Sequence, residues 1–212
     1  MAIKPTQTLG APALQALTRE ALFDSPFMQL ESWLRDAVQS RMPYPTAMTL
    51  ATLGADGGLD QRTVLLRHCD ARGLIFFAGD YSKKIRDLQE YPGVSVHFFW
   101  HELDRQVRVR GMVQKVSAAE TTHYFITPPD FSLPQQSCTD AGPASRQFLI
   151  QQFNMMRSKF YGGDKREKSR WSGYRIVPDQ FEFWQGGGPR LRDRFLYRLM
   201  GPNRWSIERL EE

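Results

Sequence analysis

Apolar and polar residues alternate along most of this chain, which is the pattern of β-strands with one buried and one exposed face. Turn sequences such as GADGG (54–58) and DARG (70–73) separate alternating segments at the spacing of β-hairpins. The pattern therefore predicts an antiparallel sheet. The predicted strands are 46–53, 59–69, 74–78, 94–100, 105–116, 173–187, 194–199 and 205–210.

A few segments follow the helical period instead. Ser25 and Pro26 mark a helix start, with an N-cap serine before a proline at the first helical position, and Pro43 ends this helix. Further helices are predicted over 82–90, 118–126 and 145–160. Because the helices are inserted among hairpins rather than alternating with strands, the predicted fold class is α+β, an antiparallel β-barrel with peripheral helices.

The two ends of the chain differ in pattern. Residues 1–24 are predicted to form a flexible N-terminal arm, although Leu14, Leu17 and Leu22 offer apolar contacts for docking. Residues 25–212 are predicted to form one domain, since a single core remains economical at this length.

Composition narrows the class of ligand and the compartment. Lys and Arg number 28 against 23 Asp and Glu, so the net charge is +5, which suits small anionic ligands. The sequence has no Lys/Arg-rich run and no zinc-knuckle spacing, so no motif supports binding to nucleic acid. Cys69 and Cys138 form no CxxC motif and are interpreted as ordinary thiols of a reducing compartment. Without a signal-peptide pattern or a membrane-length apolar run, we expect a soluble, cytoplasmic protein.

The C-terminal segment FEFWQGGGPRLRDRFLYRL (181–199) predicts a β-hairpin that carries arginines. Arg190, Arg192 and Arg194 are spaced by two and would project from one face of the returning strand. Their like charges would repel each other unless an anionic or aromatic group lay on that face. The segment therefore indicates either a ligand site or a solvated edge strand protected by charge.

Two further segments carry cations. Arg62 and Arg67 lie five residues apart in one strand, on opposite faces of an ideal strand, so at least one should meet a ligand or a bulge. Ser82-Lys83-Lys84 begins a helix, where free N–H groups and the helix dipole favour an anion. The alternative for this segment is a solvated helix start.

Other motifs give weaker or negative signals. Gln106 shares one side of its strand with Arg108 and Arg110, and its amide suits a planar heterocycle. The four histidines show no metal-binding spacing, so no metal site is predicted. GxGxxG, GxSxG and Walker A motifs are absent from the sequence.

Taken in order, these segments resemble the pyridoxamine 5′-phosphate oxidase family. The matching sequences are PTAMTLAT, QRTVLLRH, the SKK turn, WHELDRQVRVRG, HYF, FEFWQGG and RLRDRFLY, with WSIERL at the end, and they span about 85 per cent of the chain. The resemblance implies an FMN-dependent oxidase of vitamin B6 metabolism with a split-barrel fold, working as a homodimer. It also implies hydride transfer from pyridoxine or pyridoxamine 5′-phosphate to flavin N5, with O₂ as acceptor and pyridoxal phosphate as product.

The resemblance further implies the residues that bind FMN. Arg62, Ser82, Lys83 and Lys84 are expected to hold the phosphate, and Gln106 to contact the flavin ring. The residues expected to line the flavin are Thr63, Val64, Leu65, Phe77 and Ala78. Those expected from the second subunit are Gln136, Ser137, Trp184 and Arg194.

The substrate half departs from the family pattern. Arg67 replaces the usual lysine, Tyr124 and Ser132 match, and Pro128 stands where an arginine is usual. Arg190 is kept, but Arg192 replaces the histidine of the usual Arg-Leu-His. The implied substrate-binding residues are Arg67, Tyr124, Ser132, Arg190 and Arg192, of which Arg190 and Arg192 are also the implied catalytic residues.

Three hypotheses follow from these departures. The protein oxidises vitamin B6 phosphates, or it oxidises a secondary-metabolite intermediate as the flavin oxidases of phenazine biosynthesis do, or it binds flavin without catalysis. In the first two hypotheses the cofactor half of the site is kept while the substrate half is rebuilt, whereas the third also allows a ligand related to flavin.

Overall fold

The computed structural model describes residues 16–126, 171–186 and 192–211. The helices are α1 (Pro26–Gln39), α2 (Lys83–Glu90) and α3 (Ala118–Ile126), with short 3-10 turns at Arg19–Ala21 and His101–Leu103. The strands are β1 (Ala47–Leu53), β2 (Leu59–Asp70), β3 (Gly73–Gly79), β4 (Gly93–Trp100), β5 (Arg105–Lys115), β6 (Trp171–Gly186), β7 (Arg192–Gly201) and β8 (Arg204–Arg209).

The strands form one antiparallel sheet in the order β3-β2-β1-β4-β5-β6-β7-β8. An additional pairing of β3 with β6 closes the first six of these strands into a barrel. β7 and β8 continue the sheet outward from β6. The predicted antiparallel barrel of the α+β class is confirmed.

The long strand β6 serves both parts of the sheet. Its first residues pair with β3 and its last residues pair with β7, while β5 runs along nearly its whole length. The β5–β6 register shifts after Arg110, where a Cβ on Gly111 would lie 2.2 Å from the Val177 carbonyl oxygen. Pro178 lies at this irregularity, where the missing N–H costs no regular ladder bond.

Helix α1 packs its apolar face onto the barrel. Leu30, Leu34 and Ala37 are fully buried, and Trp33 contacts the rings of Trp100 and Phe183 edge-on. Burying large apolar side chains stabilises such a core by about 1.5–3 kcal/mol each. The helix begins at Pro26, as the Ser25-Pro26 sequence predicts, but the Ser25 hydroxyl makes no capping hydrogen bond.

The described part of the predicted arm, residues 16–24, is docked on the barrel and is not a loose segment. Leu17 and Leu22 belong to the buried core. The Leu17 N–H donates to Asp193 at 2.9 Å, and the Tyr197 hydroxyl donates to the Phe23 carbonyl oxygen at 2.7 Å. The expectation of flexibility is therefore wrong for these residues, because their leucines find apolar partners. A domain boundary at residue 24 stays a prediction.

The other predicted elements agree closely with the structure. α3 has its predicted bounds, and each predicted strand is present within a few residues. The predicted helix 145–160 lies outside the described residues. None of the described helices is long and apolar enough to cross a membrane.

Candidate functional site

The barrel wall opens between β2 and β3. Pairing of these strands extends from the Asp70–Gly73 turn only as far as Leu66 and Phe76. Beyond this point residues 59–65 pair with β1 alone and residues 77–79 pair with β6 alone. The two strands diverge, and each presents an unpaired main-chain edge to the gap.

The residues expected to line the flavin lie on the two edges of this gap. Thr63 and Leu65 are exposed, whereas the Val64 and Ala78 side chains are buried in the core. Any contact of Val64 or Ala78 with a ligand would therefore involve the main chain. Phe77 is half-buried against the small cluster formed with Ile75, Val116 and Tyr124.

Helix α2 begins at the end of β3, beside the gap, with Ser82 at its N-cap position. The Ser82 hydroxyl oxygen is buried, makes no capping hydrogen bond and has no partner among the described residues. The first N–H groups of any helix also lack intrahelical acceptors. A buried hydroxyl without a partner costs free energy, so this arrangement favours an acceptor beyond those that the described residues supply.

Two cations flank this serine. Burial, and next the charge of Arg62, lower the pKa of the Lys84 ammonium, and the described residues give Lys84 no carboxylate partner. Arg62 donates to the Thr52 hydroxyl at 2.6 Å, and Asp87 lies 3.9 Å away. Arg62, Ser82 and Lys84 are called the Ser82 site below. It combines neighbouring cations, a buried donor and a helix N-terminus, which together suit a phosphate.

Lys83 differs from its neighbour. Its ammonium binds Asp60 and lies 3.4 Å from Asp87, and it is more than half exposed. Hydrogen bonding to Asp60 raises the pKa of Lys83, and the same pair lowers the pKa of Asp60. Lys83 therefore has two carboxylate partners for its side chain, which leaves its main-chain N–H for a ligand.

Three of the predicted cofactor residues form one row across β5, β6 and β7. Gln106 pairs in register with Trp184, and Trp184 pairs with Arg194. The resemblance assigns Gln106 to one subunit and the other two to its partner, yet all three lie side by side in a single chain. Such a row can serve two sites only if a twofold axis runs close to it.

Glu182 holds two arginines beside this row. Its carboxylate is buried and accepts from Arg108 at 2.7 Å and from Arg194 at 2.9 Å. This is the anionic group that the arginine spacing in the hairpin required. Arg192 begins β7 on the same face as Arg194, opposite Gly186, and is exposed.

A second cationic cluster surrounds Tyr124. Arg67 lies where the β2–β3 register shifts, so the predicted meeting with a bulge is confirmed, and its Nε donates to the Tyr124 carbonyl oxygen at 2.9 Å. Burial lowers the pKa of Arg67. The Tyr124 hydroxyl accepts from Arg175 at 3.1 Å and from Arg72. The structure thus brings together Arg67 and Tyr124, two of the predicted substrate residues.

Two carboxylates balance these arginines. Glu120 lies 3.1 Å from Arg175 and 3.2 Å from Arg72, and Asp70 lies 2.8 Å from Arg72. The Arg175 Nε is buried without a partner among the described residues. Arg67, Asp70, Arg72, Glu120, Tyr124 and Arg175 are called the Tyr124 cluster below. With three cations and two anions, it keeps one positive charge for a ligand.

The sequence patterns missed several residues of these sites. The sequence pattern places Arg72 in a turn and Thr52 in a strand, and it favours a satisfied or surface histidine at His97. Arg175 and Glu182 could have been found from the sequence, because each is a charged residue between two large apolar residues that are buried. Other predicted site residues, Pro128, Ser132, Gln136, Ser137 and Arg190, lie outside the described residues.

No group of His, Cys, Asp and Glu that could hold a metal ion occurs within residues 16–126, 171–186 and 192–211. Cys69 packs against the core, and burial raises the pKa of its thiol. A protonated thiol is a poor nucleophile, in agreement with the interpretation of Cys69 as an ordinary residue.

Two family models match the chain. One, described as pyridoxamine 5′-phosphate oxidase, matches residues 34–157. The other, described as the pyridoxine 5′-phosphate oxidase C-terminal dimerisation region, matches residues 171–211. The second match covers β6 to β8 and includes Trp184 and Arg194. Gln106, the third residue of their row, lies within the first match.

Curated relatives match over nearly the full length. A protein of Teredinibacter turnerae named pyridoxine/pyridoxamine 5′-phosphate oxidase is 44% identical over 199 residues, covering 93% of this chain and 94% of its own. A protein of the same name from Rippkaea orientalis is 43% identical, covering 92% of each chain.

Solved structures share the fold. PhzG from Burkholderia lata, in complex with tetrahydrophenazine-1-carboxylic acid, superposes with a TM-score of 0.69 at 23% identity, covering 95% of this chain and 100% of that one. A pyridoxamine 5′-phosphate oxidase-related, FMN-binding protein of Nostoc punctiforme gives a TM-score of 0.63 at 16% identity, covering 90% and 100%.

Proposed function

The chain belongs to the pyridoxamine 5′-phosphate oxidase family, and we propose that it is an FMN-dependent oxidase that acts on pyridoxamine or pyridoxine 5′-phosphate as a homodimer. The name of the curated relatives supports the substrate class. The match to a dimerisation region supports the homodimer.

The buried, unpartnered Ser82 hydroxyl is the observation that carries the cofactor assignment. FMN ends in a phosphate monoester, which accepts several charge-assisted hydrogen bonds. Ser82, Lys84 and Arg62 would hold this phosphate together with the first N–H groups of α2. The residues of the Ser82 site therefore fit the cofactor without breaking any hydrogen bond of Ser82.

The ring of the cofactor would lie in the gap between β2 and β3. Thr63 and Leu65 would contact it from one edge and Phe77 from the other. Gln106 of the same subunit, with Trp184 and Arg194 of the second subunit, would enclose its far side. A site completed across a subunit interface explains why the functional unit would be the dimer.

Bound FMN would supply the hydride acceptor for oxidation of the substrate at C4′, with O₂ as the final electron acceptor. The chain's own residues would bind and orient the substrate so that C4′ faces the flavin ring. Arg190 and Arg192 would contact the substrate as fixed cations. Because arginine stays protonated in proteins, their contribution would be orientation and charge stabilisation, not proton abstraction.

The substrate phosphate would bind at the Tyr124 cluster. Arg67 provides a cation there, and Ser132 would add a hydroxyl donor. Pro128 offers no donor where the family has an arginine, so Arg72 and Arg175 would supply the missing positive charge. In this arrangement the net positive charge of the Tyr124 cluster would attract the substrate phosphate.

A second candidate function is oxidation of a secondary-metabolite intermediate, as in phenazine biosynthesis. The replacement of the family's phosphate-binding arginine by Pro128 favours it, together with the pairing of Arg72 and Arg175 to Asp70 and Glu120. A substrate without a phosphate would have no need to compete with these carboxylates.

Anaerobic reduction of the bound flavin tests the proposal. Protein reconstituted with FMN is mixed with excess pyridoxamine 5′-phosphate without oxygen, and the visible absorbance of the flavin is followed. We expect the absorbance to bleach and to return when air is admitted. Pyridoxamine without its phosphate is the matched control and should bleach the flavin far more slowly. A flavin that stays oxidised with pyridoxamine 5′-phosphate, and also with pyridoxine 5′-phosphate in a second experiment, would contradict the vitamin B6 assignment.

A further inference from the structure

His97 and Gln106 form a side-chain pair on the outward face of the barrel. They lie on the adjacent strands β4 and β5, and the His97 Nε2 is 3.1 Å from the Gln106 Oε1. The His97 ring also stacks near the ring of Phe99, with centroids 6.3 Å apart and planes 16° apart. Both members of the pair are half-buried, so each has one side available to a ligand or a partner.

The Gln106 Oε1 faces the His97 Nε2 in this arrangement. Because an amide oxygen can only accept, the hydrogen bond forms in the His97 tautomer that carries its proton on Nε2. The Gln106 amino group then points away from His97 with both of its protons available. The direct cross-strand neighbour of His97 is Arg108, which donates to Glu182 and so leaves the Gln106 oxygen to the histidine.

We propose that His97 is a positioning residue that holds the Gln106 amide in one orientation, with its amino group donating to an acceptor atom of the flavin ring. The inference rests on the proposed function, which places Gln106 against the ring. A free glutamine amide presents its oxygen or its nitrogen with little preference, whereas the bond from His97 selects the donor.

The consequence is electrostatic. Ring acceptor atoms become more electron-rich when the flavin takes up electrons, so a fixed donor stabilises the reduced cofactor more than the oxidised one. If the amide turned over, its oxygen would face these atoms and repel them. His97 would therefore strengthen FMN binding and raise the reduction potential of the bound flavin without touching the cofactor.

Three variants test the inference: His97→Leu, His97→Gln and Gln106→Leu. The first removes the donor, the second replaces the imidazole N–H by an amide N–H of similar reach, and the third removes the positioned group. Two readouts are independent of turnover. They are the FMN dissociation constant, from quenching of flavin fluorescence on titration with apoprotein, and the reduction potential of the bound flavin.

We expect His97→Leu to weaken FMN binding by about fivefold, the equivalent of one ordinary hydrogen bond, and to lower the reduction potential. His97→Gln should restore most of both losses, and Gln106→Leu should reproduce them. Unfolding of each apoprotein, followed by circular dichroism, shows whether a variant still folds. His97→Gln keeps the proposal testable if the leucine variant is unstable.

Three results would overturn the inference. If Gln106→Leu weakens FMN binding while His97→Leu leaves affinity and potential unchanged, or if His97→Gln fails to rescue them, His97 does not position Gln106, and the proposed function stands. If Gln106→Leu itself changes neither quantity, Gln106 is not at the ring, and both this inference and the proposed placement of the cofactor are wrong.

Discussion

The Ser82 site and the Tyr124 cluster are both cationic, but they differ in how their charges are satisfied. At the Ser82 site a buried hydroxyl has no partner and Lys84 has no carboxylate partner among the described residues. In the Tyr124 cluster, Arg72 and Arg175 already bind Asp70 and Glu120 within 2.8–3.2 Å. An anion at the Ser82 site would meet the Ser82 hydroxyl and Lys84 without displacing a carboxylate from either, although Arg62 also lies 3.8–3.9 Å from Asp60 and Asp87. An anion at the Tyr124 cluster would compete with ion pairs of both Arg72 and Arg175.

This difference implies different affinities and different tolerance of change. A prepared site gains the full charge-assisted interaction when its anion arrives. In a site with internal ion pairs, an arriving phosphate gains only the difference between the new contacts and the old ones. The stronger binding would suit a cofactor that stays bound, and the weaker binding would suit a substrate whose product must leave after each turnover.

Removing Lys84 should have the largest effect. We expect Lys84→Met to weaken FMN binding by about 10- to 150-fold, the range that one charge-assisted hydrogen bond to a phosphate supplies. The measurement is the FMN dissociation constant by fluorescence quenching. Because burial and Arg62 already disfavour the charged form of Lys84, apoprotein stability should not fall.

The matched control is Arg86→Met, which removes one positive charge from the exposed face of the same helix. It should change the FMN dissociation constant by less than about threefold, since exposed charges are largely screened. Equal losses in the two variants would mean that general electrostatic attraction, and not a phosphate contact, explains the effect of Lys84.

Removing Arg67 should have an intermediate effect. We expect Arg67→Ala to raise KM for pyridoxamine 5′-phosphate by about tenfold with a smaller change in kcat, because its Nε is already bonded to the Tyr124 carbonyl oxygen. Arg204→Ala removes the same charge from the exposed first residue of β8 and should leave KM unchanged. An unchanged KM in Arg67→Ala would place the substrate phosphate elsewhere.

The fold could be predicted from local sequence patterns more completely than the residues of the site. Local patterns were sufficient for the strands and for α1 and α2, because each depends on neighbouring residues. The anion site at Ser82-Lys83-Lys84 stays a prediction. The substrate and flavin-lining residues came from resemblance to a family, not from local pattern. Closure of the barrel by β3 and β6 joins residues about 100 positions apart, which no local periodicity encodes.

The Tyr124 cluster shows the same limit at the level of side chains. Arg72, Tyr124 and Arg175 come from a turn, a helix and a strand, and only the closed barrel brings them together. The Ser82 hydroxyl shows a second limit, since the sequence favours it as a helix cap and the structure leaves it without a capping bond. Under the proposed function this hydroxyl would donate to the cofactor phosphate instead of to the helix.

Releasing the arginines of the Tyr124 cluster should have a smaller effect of opposite sign. We expect Glu120→Gln to lower KM for pyridoxamine 5′-phosphate by about two- to fivefold, because Arg72 and Arg175 lose a competing carboxylate worth up to about 1 kcal/mol. Asp179→Asn, which releases the exposed Arg110, is the control and should not change KM. A rise in KM in Glu120→Gln would mean that Glu120 holds the arginines in place for the substrate.

The smallest expected effect is on the stability of the fold. Its dependence on pH tests whether Asp70 of the Tyr124 cluster acts through its charge. Burial raises the pKa of Asp70, but hydrogen bonds from Arg72 and its charge outweigh this, so the pKa lies below its ordinary value of 3.8. A carboxylate with a lowered pKa stabilises the fold above that value, and the contribution is lost as the pH falls through the folded-state pKa. Asp70→Asn should therefore lower Tm by at most about 2–4 °C near pH 6, and the difference should vanish towards pH 2–3. A difference in Tm that does not change with pH would show that Asp70 acts through packing. Ion pairing by Asp70 would then not be what distinguishes the Tyr124 cluster from the Ser82 site.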